Sequence, residues 1–333
     1  MNAPLPAGVA GAAEAIALRL QVRAIRLQAD GIHTYELADP DGAELPETQA
    51  GAHVDVHLPG QHVRSYSLAG DPRDRYTWTL GVLREANGRG GSKSLHDKVH
   101  VGDFIEVGEP RNAFGLKPGA DHVVLIAGGI GITPLKAMAH VLAAEDKSFE
   151  LHYCARSPRN AAFLGELRKI VPEGRLHLHF DNGDASRGLD IAELLREPGS
   201  RRHVYFCGPG GFMKACSDAT AHWPAGTVHS EHFKAPEPKA KPAGYQDGSF
   251  DVKLARAGIT VHVESDQTIV RAIELAGHRV PTSCLSGLCG ACKVGVLEGE
   301  VDHQDFILAD DERAHCMTVC VSRAKSPMLV LDL

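Results

Sequence analysis

The sequence predicts a multidomain chain: an antiparallel β-barrel, then an α/β unit with a parallel sheet, then a smaller α+β unit. Three observations predict it. Short apolar runs of period two occupy residues 17–115, strand and helix patterns alternate over 116–233, and a Pro- and Lys-containing stretch at 234–248 precedes a cysteine-rich final segment, 249–333. A length of 333 residues accommodates two or three such units.

In the first segment Leu18, Leu20 and Val22 alternate with more polar positions, as do Val54, Val56 and Leu58, and Trp78, Leu80 and Val82. Such runs are strands with one buried face. Turn signals at Asp39-Pro-Asp-Gly42, Leu58-Pro-Gly and Asp71-Pro separate them. Many short antiparallel strands with one brief helix make a small barrel.

The second segment opens with Val123-Val-Leu-Ile-Ala, a continuous apolar run expected of a strand buried on both faces. Helices are expected over 134–144, near 161–170, after Leu189 and over 211–222. Strands are expected over 149–154, 175–180 and 203–207. Pro236, Pro238 and Pro242 among Lys, Ala and Gly predict a semi-extended linker. Beyond it come strands at 250–254 and 259–263, a helix near 269–276 and the cysteine loop. Residues 1–16, rich in Ala, Pro and Gly, predict a disordered tail with no signal-peptide pattern.

Composition narrows the function. A formal charge of -7 argues against a nucleic-acid binder. The longest apolar run, Val123 to Leu135, is broken by three glycines and falls short of the about 20 residues a membrane span needs. Five of the eight cysteines fall in the last fifty residues. With no export signal this predicts a reducing, cytoplasmic setting and a metal rather than disulfides.

Cys284-Leu-Ser-Gly-Leu-Cys289-Gly-Ala-Cys292 is a Cys-x4-Cys-x2-Cys run, the plant-type 2Fe-2S spacing. Four thiolates are needed to complete two iron tetrahedra, and both Cys316 and Cys320 stand downstream as a fourth. Zinc is the competing metal, but structural zinc commonly uses paired Cys-x2-Cys hooks. Cys154 and Cys216 read as small core residues.

Gly128-Gly-Ile-Gly-Ile-Thr-Pro134 follows the buried strand and opens a helix, so Gly128, Gly129, Gly131 and Thr133 are candidates for a pyrophosphate contact. Cys207-Gly208-Pro209-Gly-Gly ends a later strand in the same way. Two such turns at one edge of a parallel sheet make a ligand crevice. Arg156 would favour a ribose phosphate and Asp181 a free ribose hydroxyl; together with the family pattern below, NADH is the expected nucleotide. In the first segment Arg64-Ser65-Tyr66-Ser67 offers a phosphate partner, a ring-stacking phenol and a ring-nitrogen donor. Gly88-Arg-Gly-Gly91-Ser92-Lys-Ser94 starts a short helix suited to further phosphate contacts.

Taken in order, these motifs resemble the ferredoxin-NADP reductase superfamily and, more closely, the phthalate dioxygenase reductases and vanillate demethylase reductases. The resemblance runs from about Leu18 to the end. It also includes Trp223-Pro-x-Gly-Thr-Val-His and Cys320-Val-Ser-Arg-Ala-Lys-Ser. It implies a flavin barrel, a nicotinamide unit and a C-terminal β-grasp ferredoxin. It implies FMN, with Arg64, Gly91 and the 92–94 turn at its phosphate, Tyr66 and Phe233 at its ring, and Ser67 near its reactive nitrogen. It places Cys207 by the nicotinamide and Cys320 as the fourth cluster ligand.

The implied activity passes electrons from NADH through FMN and the cluster to a terminal Rieske oxygenase, with Ser67 and Cys207 at the hydride-transfer point. The chain is expected to be a monomer. A flavin bridges the others because it is stable after taking two, one or no electrons, and the protein aligns and tunes. The rival readings are a stand-alone NADH oxidoreductase and a non-enzymatic iron-sulfur carrier. Among the remaining residues, His177 and His179 share a strand face as a metal pair would, though solvated histidines are the default. Glu298, Glu300, Asp302, Asp305, Asp310, Asp311 and Glu312 read as a solvated face or as a steering surface for a basic partner.

Overall fold

A computed structural model describes residues 18–60, 62–88, 90–199, 201–236, 248–308 and 310–333. The expected tail at 1–16 and all but the ends of the expected linker at 234–248 lie outside the described residues.

The first sheet is built from β1 (Leu18–Ala29), β2 (Ile32–Ala38), β3 (His53–Leu58), β4 (His62–Ser67), β5 (Trp78–Leu83) and β6 (Phe104–Val107), with α1 (Gly91–Lys98) between the last two. Its order is β4-β3-β6-β1-β2-β5, all antiparallel. A bridge from Leu68 to Leu80 joins the two outermost strands and closes the barrel. The alternating positions turn inward: Leu20, Val22, Val54, Val56, Trp78, Leu80 and Val82 form one buried cluster.

The second sheet holds β7 (His122–Gly128), β8 (Phe149–Ala155), β9 (Leu176–Phe180), β10 (Arg202–Cys207) and β11 (Val228–Glu231), in the parallel order β11-β10-β7-β8-β9. Around it lie α2 (Ile132–Ala144), α3 (Leu164–Ile170), α4 (Ile191–Leu194) and α5 (Gly210–Ala219). The helix expected near 161–170 begins later, because Ala162 N–H donates to the Tyr153 hydroxyl (3.0 Å) and Phe163 takes a φ of 63°. The helix expected to reach 222 ends at Ala219, where the Thr220 hydroxyl turns back onto the Cys216 carbonyl (2.8 Å).

The third unit contains β12 (Phe250–Leu254), β13 (Ile259–Val263), α6 (Ile269–Leu275), β14 (Lys293–Glu298), β15 (Val301–Asp302), α7 (Asp310–Arg313), β16 (Cys316–Thr318), β17 (Arg323–Ala324) and β18 (Met328–Leu331). Its five-stranded sheet runs β13-β12-β18-β14-β16 and carries its own core with α6.

The two kinds of contact between units differ in chemistry. The barrel meets the parallel sheet through continuous apolar packing, with Ala29, Ile32, Ala50, Ala69 and Phe114 in one cluster with Leu135, Met138 and Phe163. Lys136, 2 % exposed, crosses that contact to donate to the Ala69 carbonyl at 2.8 Å. The third unit reaches the barrel through polar groups instead. Among the described residues no helix is long and apolar enough to cross a membrane.

The acidic run is not one solvated face. Asp305 is 4 % exposed, and its Oδ2 accepts the Leu308 N–H at 2.9 Å and the Ile307 N–H at 3.3 Å. The carboxylate is built into the loop beside the cysteines, where it caps those two amides. The Asp310 side chain lies outside the described residues.

Candidate functional site

The site lies where the barrel, the edge of the parallel sheet and the cysteine loop converge. β7 and β10 are neighbours and end together, so the turns after Gly128 and Cys207 face each other. Their approach is close. A Cβ on Gly131 would stand 2.2 Å from the Cys207 carbonyl oxygen, and one on Gly128 would stand 2.9 Å from Pro209. Gly129 takes a φ of 55° and a Cβ there would meet nothing within 4 Å, so its face is open to a ligand. Thr133, 2 % exposed, turns its hydroxyl onto the Ile130 carbonyl (3.0 Å) and fixes the turn. The first N–H groups of α2 and α5 thereby point at one crevice.

Asp181 sits apart, beyond the end of β9. Its Oδ1 accepts the Gly183 N–H at 2.7 Å. The cleft beside it is lined by Arg156, Ser157, Asn160, Asn182 and Gly183.

In the barrel, β4 carries Arg64, Ser65, Tyr66 and Ser67. Gly91 opens α1 directly against Arg64: a Cβ there would lie 2.5 Å from Arg64 Cγ. The Ser92 hydroxyl accepts the Glu85 N–H (3.1 Å) and the Ser94 hydroxyl donates to the Pro59 carbonyl (2.8 Å). These serine hydroxyls hold the loop, and backbone amides remain to face a phosphate. Burial pushes the Tyr66 phenol up to about 12, so it stays neutral.

Glu231 was not legible in the sequence. The last residue of β11, it pairs with Cys207. The Ser67 hydroxyl donates to its Oε2 at 3.2 Å, linking barrel and sheet. Burial pushes the Glu231 carboxyl up to about 8 against the opposing Ser67 hydrogen bond. Burial, and then Glu231, drives the fully buried Cys207 thiol upward. Ser67, Glu231, Cys207 and the 128–131 turn are thus brought together. Phe233, two residues on, is 40 % exposed beside them in sequence.

A raised carboxyl keeps its proton in the native state after the unfolded chain has lost it. Its contribution to stability is therefore full below the ordinary carboxylate range and is lost as pH rises through about 8. Above that pH a charge appears beside Ser67 and Cys207. Stopped-flow measurement of flavin reduction is expected to show a fall above about pH 8 and a flat profile in Glu231→Gln.

The cysteine loop gathers Cys284, Cys289, Cys292 and Cys320. Cys284 neighbours Cys289 and Cys292 neighbours Cys320, and the partner thiol lowers Cys284 and Cys292. Backbone N–H groups converge on the sulfurs: Ser286 and Leu288 on Cys284 Sγ (3.4 Å each), and Cys284 on Cys289 Sγ (3.5 Å). Gly287, at φ 69°, makes the turn possible; a Cβ there would meet Val321 Cγ2 at 2.7 Å. Four converging sulfurs met by amide donors fit a 2Fe-2S cluster. Cys316 instead lies on β16, paired with β14 at Gly295.

This loop is tied to β3 and β4. Asp55 Oδ1 accepts hydrogen bonds from Ser65 and from Ser283 (2.7 Å each), and its Oδ2 accepts one from Arg111 (2.7 Å). Burial pushes the Asp55 carboxyl up, but Arg111 and the two hydroxyls outweigh it and hold it below its usual range. His53, 4 % exposed, rests against the Cys289 backbone, and burial lowers its ring to about 4. A hydrogen bond to a charged acceptor contributes about 1.5–3 kcal/mol. Ser283→Ala is therefore expected to slow cluster reduction by about tenfold while flavin reduction by NADH keeps its rate, as resolved by stopped-flow spectra.

Comparison with known proteins accords with this geometry. Residues 125–218 match the oxidoreductase NAD-binding domain and residues 252–325 the 2Fe-2S iron-sulfur cluster binding domain. The chain is 48 % identical to the tert-butanol monooxygenase / tert-amyl alcohol desaturase reductase subunit of Aquincola tertiaricarbonis, over 95 % of this chain and 96 % of that one. It is 44 % identical to a vanillate O-demethylase oxidoreductase of a Pseudomonas strain, over 94 % and 98 %. It is 42 % identical to the phthalate dioxygenase reductase of Burkholderia cepacia, over 95 % and 97 %. A solved structure of phthalate dioxygenase reductase, described as modular for electron transfer from pyridine nucleotides to [2Fe-2S], superposes with a TM-score of 0.70 at 42 % identity, over 95 % of this chain and 98 % of that one. An intact type IV self-sufficient cytochrome P450 monooxygenase superposes with a TM-score of 0.89 at 40 % identity; it covers 99 % of this chain, which spans 43 % of that one.

Proposed function

The chain belongs to the family of reductases that contains phthalate dioxygenase reductase and the vanillate O-demethylase oxidoreductases, and on that footing we propose that it passes electrons from NADH through FMN and a 2Fe-2S cluster to a terminal Rieske-type oxygenase or O-demethylase. The observation that carries the reading is the junction itself. Ser67 of the barrel, Glu231 and Cys207 of the parallel sheet and the 128–131 turn meet on one side, and Asp55 ties the same barrel to the cysteine loop on the other.

The flavin barrel spans 17–115, the nicotinamide unit 116–233, a linker 234–248 and the ferredoxin unit 249–333. When bound, the flavin supplies conversion of a hydride into single electrons. Arg64 and the amides opening α1 hold its phosphate. Tyr66 and Phe233 would bound its ring, with Ser67 near its reactive nitrogen. Gly128, Gly129 and Gly131, with Cys207, Gly208 and Pro209, would hold the dinucleotide along the crevice, Thr133 would fix that turn through its bond to the Ile130 carbonyl, and Asp181 would close the ribose end. The Ser67–Glu231 pair holds a proton at the hydride-transfer point. Cys284, Cys289, Cys292 and Cys320 bind the cluster. The protein works as a monomer, in a reducing, cytoplasmic setting that suits eight cysteines with no disulfide among the described residues.

An anaerobic NADH titration followed by absorbance and low-temperature EPR tests this. Flavin bleaching together with the rhombic signal of a reduced 2Fe-2S cluster is the expected result. Bleaching without that signal would leave a stand-alone flavin reductase. NADPH replacing NADH with equal kcat/KM would overturn the nucleotide assignment, and FAD rather than FMN in the denatured extract would overturn the flavin assignment.

A further inference from the structure

The parallel sheet carries a second cluster of chemistry-bearing residues, separate from both glycine turns. Parallel pairing sets His152 of β8 opposite His177 of β9, and Cys154 opposite His179. Side chains two apart share a sheet face, so Glu150 and His152 line up beside His177 and His179. Glu150 and His177 are the second residues of their strands, whereas Gly128 and Cys207 are the last residues of theirs. The cluster therefore lies toward the end of the sheet away from the nucleotide crevice.

The Glu150 carboxylate faces partners on both sides. Its Oε1 lies 3.3 Å from an Arg202 guanidinium nitrogen and 3.4 Å from His122 Nε2. Its Oε2 lies 3.4 Å from His152 Nε2 and 3.8 Å from His177 Nε2. His152 is 7 % exposed, and its Nε2 is buried with no hydrogen-bond partner. The other ring nitrogen of His152 is engaged: Nδ1 lies 3.2 Å from His179 Nε2, with the rings stacked at 11°. In the tautomer that carries its proton on Nδ1 and donates it to His179, the lone pair of His152 falls on Nε2, facing Glu150 across 3.4 Å. That is the arrangement of a metal-binding histidine, whose second N–H is held by an outer partner.

One carboxylate oxygen and two imidazole nitrogens lie within 4.8 Å of one another. Donors at zinc stand about 2.0–2.1 Å from the ion, which puts tetrahedral donors about 3.3 Å apart. The carboxylate-to-ring spacings of 3.4 and 3.8 Å are close to that; the His177 ring, stacked on His152 at 4.6 Å and 23°, has to turn so that both lone pairs meet at the ion. We propose that Glu150, His152 and His177 form a binding site for a divalent transition-metal ion, with Zn2+ as the best-matched ion. Nitrogen and oxygen donors of this kind suit zinc better than calcium or magnesium, which take oxygen shells. The His177 side chain is 40 % exposed, giving the ion a path in and leaving its remaining positions to water. Arg202 and His122 hold Oε1, so Oε2 is the ligand atom.

The test uses the holoprotein with its flavin and cluster in place, titrated with zinc chloride alone by isothermal calorimetry while EPR follows the dithionite-reduced cluster. The expected result is one site of micromolar or tighter affinity, with the cluster signal intact. His177→Ala and Glu150→Gln, read separately, are each expected to raise Kd at least tenfold, and Cys316→Ser to leave it unchanged. A silent titration would overturn the proposal. So would an affinity unchanged in both variants, or zinc uptake in step with loss of the cluster signal, which would assign the ion to the cysteines.

Discussion

Cys292→Ser is expected to abolish the EPR signal of the reduced cluster and with it electron delivery to any one-electron protein acceptor, while NADH still bleaches the flavin. The four sulfurs fall into two neighbouring pairs, Cys284 with Cys289 and Cys292 with Cys320. A 2Fe-2S cluster of this type takes four thiolates, and a serine hydroxyl at one corner replaces a soft, readily ionised ligand with a hard, poorly ionised one. The damage should stay local, because the third unit has its own core and the barrel and parallel sheet share a different one. Ferricyanide, which takes electrons at the flavin, separates the two halves: its reduction by NADH is expected to survive. Cys316→Ser supplies the contrast. That side chain lies on β16 outside the converging pairs, so the cluster signal should persist. Loss of the signal in Cys316→Ser and its survival in Cys320→Ser would exchange their roles.

What was legible in the sequence follows from the range of the forces involved. The cysteine spacing and the Gly128–Pro134 turn are local patterns, and chain geometry alone carries them. The parallel sheet was legible because a strand buried on both faces must be apolar throughout, as β7 is. Strands β15 to β18 were not: they are two to four residues long, too short for a period to register. Asp55 shows a different failure. It stands between inward-facing Val54 and Val56, so alternation assigns it to solvent, yet it is 7 % exposed. The outer face of β3 is covered by a loop more than two hundred residues away in sequence, and no local pattern reports that. Glu231 needs two long-range events at once, the pairing of β10 with β11 and the approach of β4. The acidic run failed at Asp305 because a carboxylate that caps two loop amides looks in sequence like any other acid.

Gly131→Ala is expected to lower kcat/KM for NADH by at least about 100-fold, the scale of loss that a misplacement of about 1 Å produces in an aligned reaction. The added methyl would stand 2.2 Å from the Cys207 carbonyl oxygen, 2.4 Å from its carbon and 2.8 Å from the Gly208 nitrogen. All three are backbone atoms of the facing turn, so no side chain can rotate away. The two turns must separate by about an ångström to restore ordinary contact, and overpacking of this kind costs about 1–3 kcal/mol. Cys207 would move away from the 128–131 turn, and its neighbour Glu231 away from Ser67. Gly129→Ala discriminates between blocking the ligand and breaking the junction. Its methyl meets nothing within 4 Å; the left-handed φ of 55° costs alanine about 1–2 kcal/mol of stability, but the facing turn is untouched, so the effect on turnover should fall on KM, with little change in the pH profile set by Glu231. In Gly131→Ala both should change: stopped-flow flavin reduction slows at saturating NADH, and the limb near pH 8 shifts as the Ser67–Glu231 bond loosens. A Gly131→Ala protein with unaltered flavin-reduction kinetics would mean that the two turns do not form the nucleotide crevice.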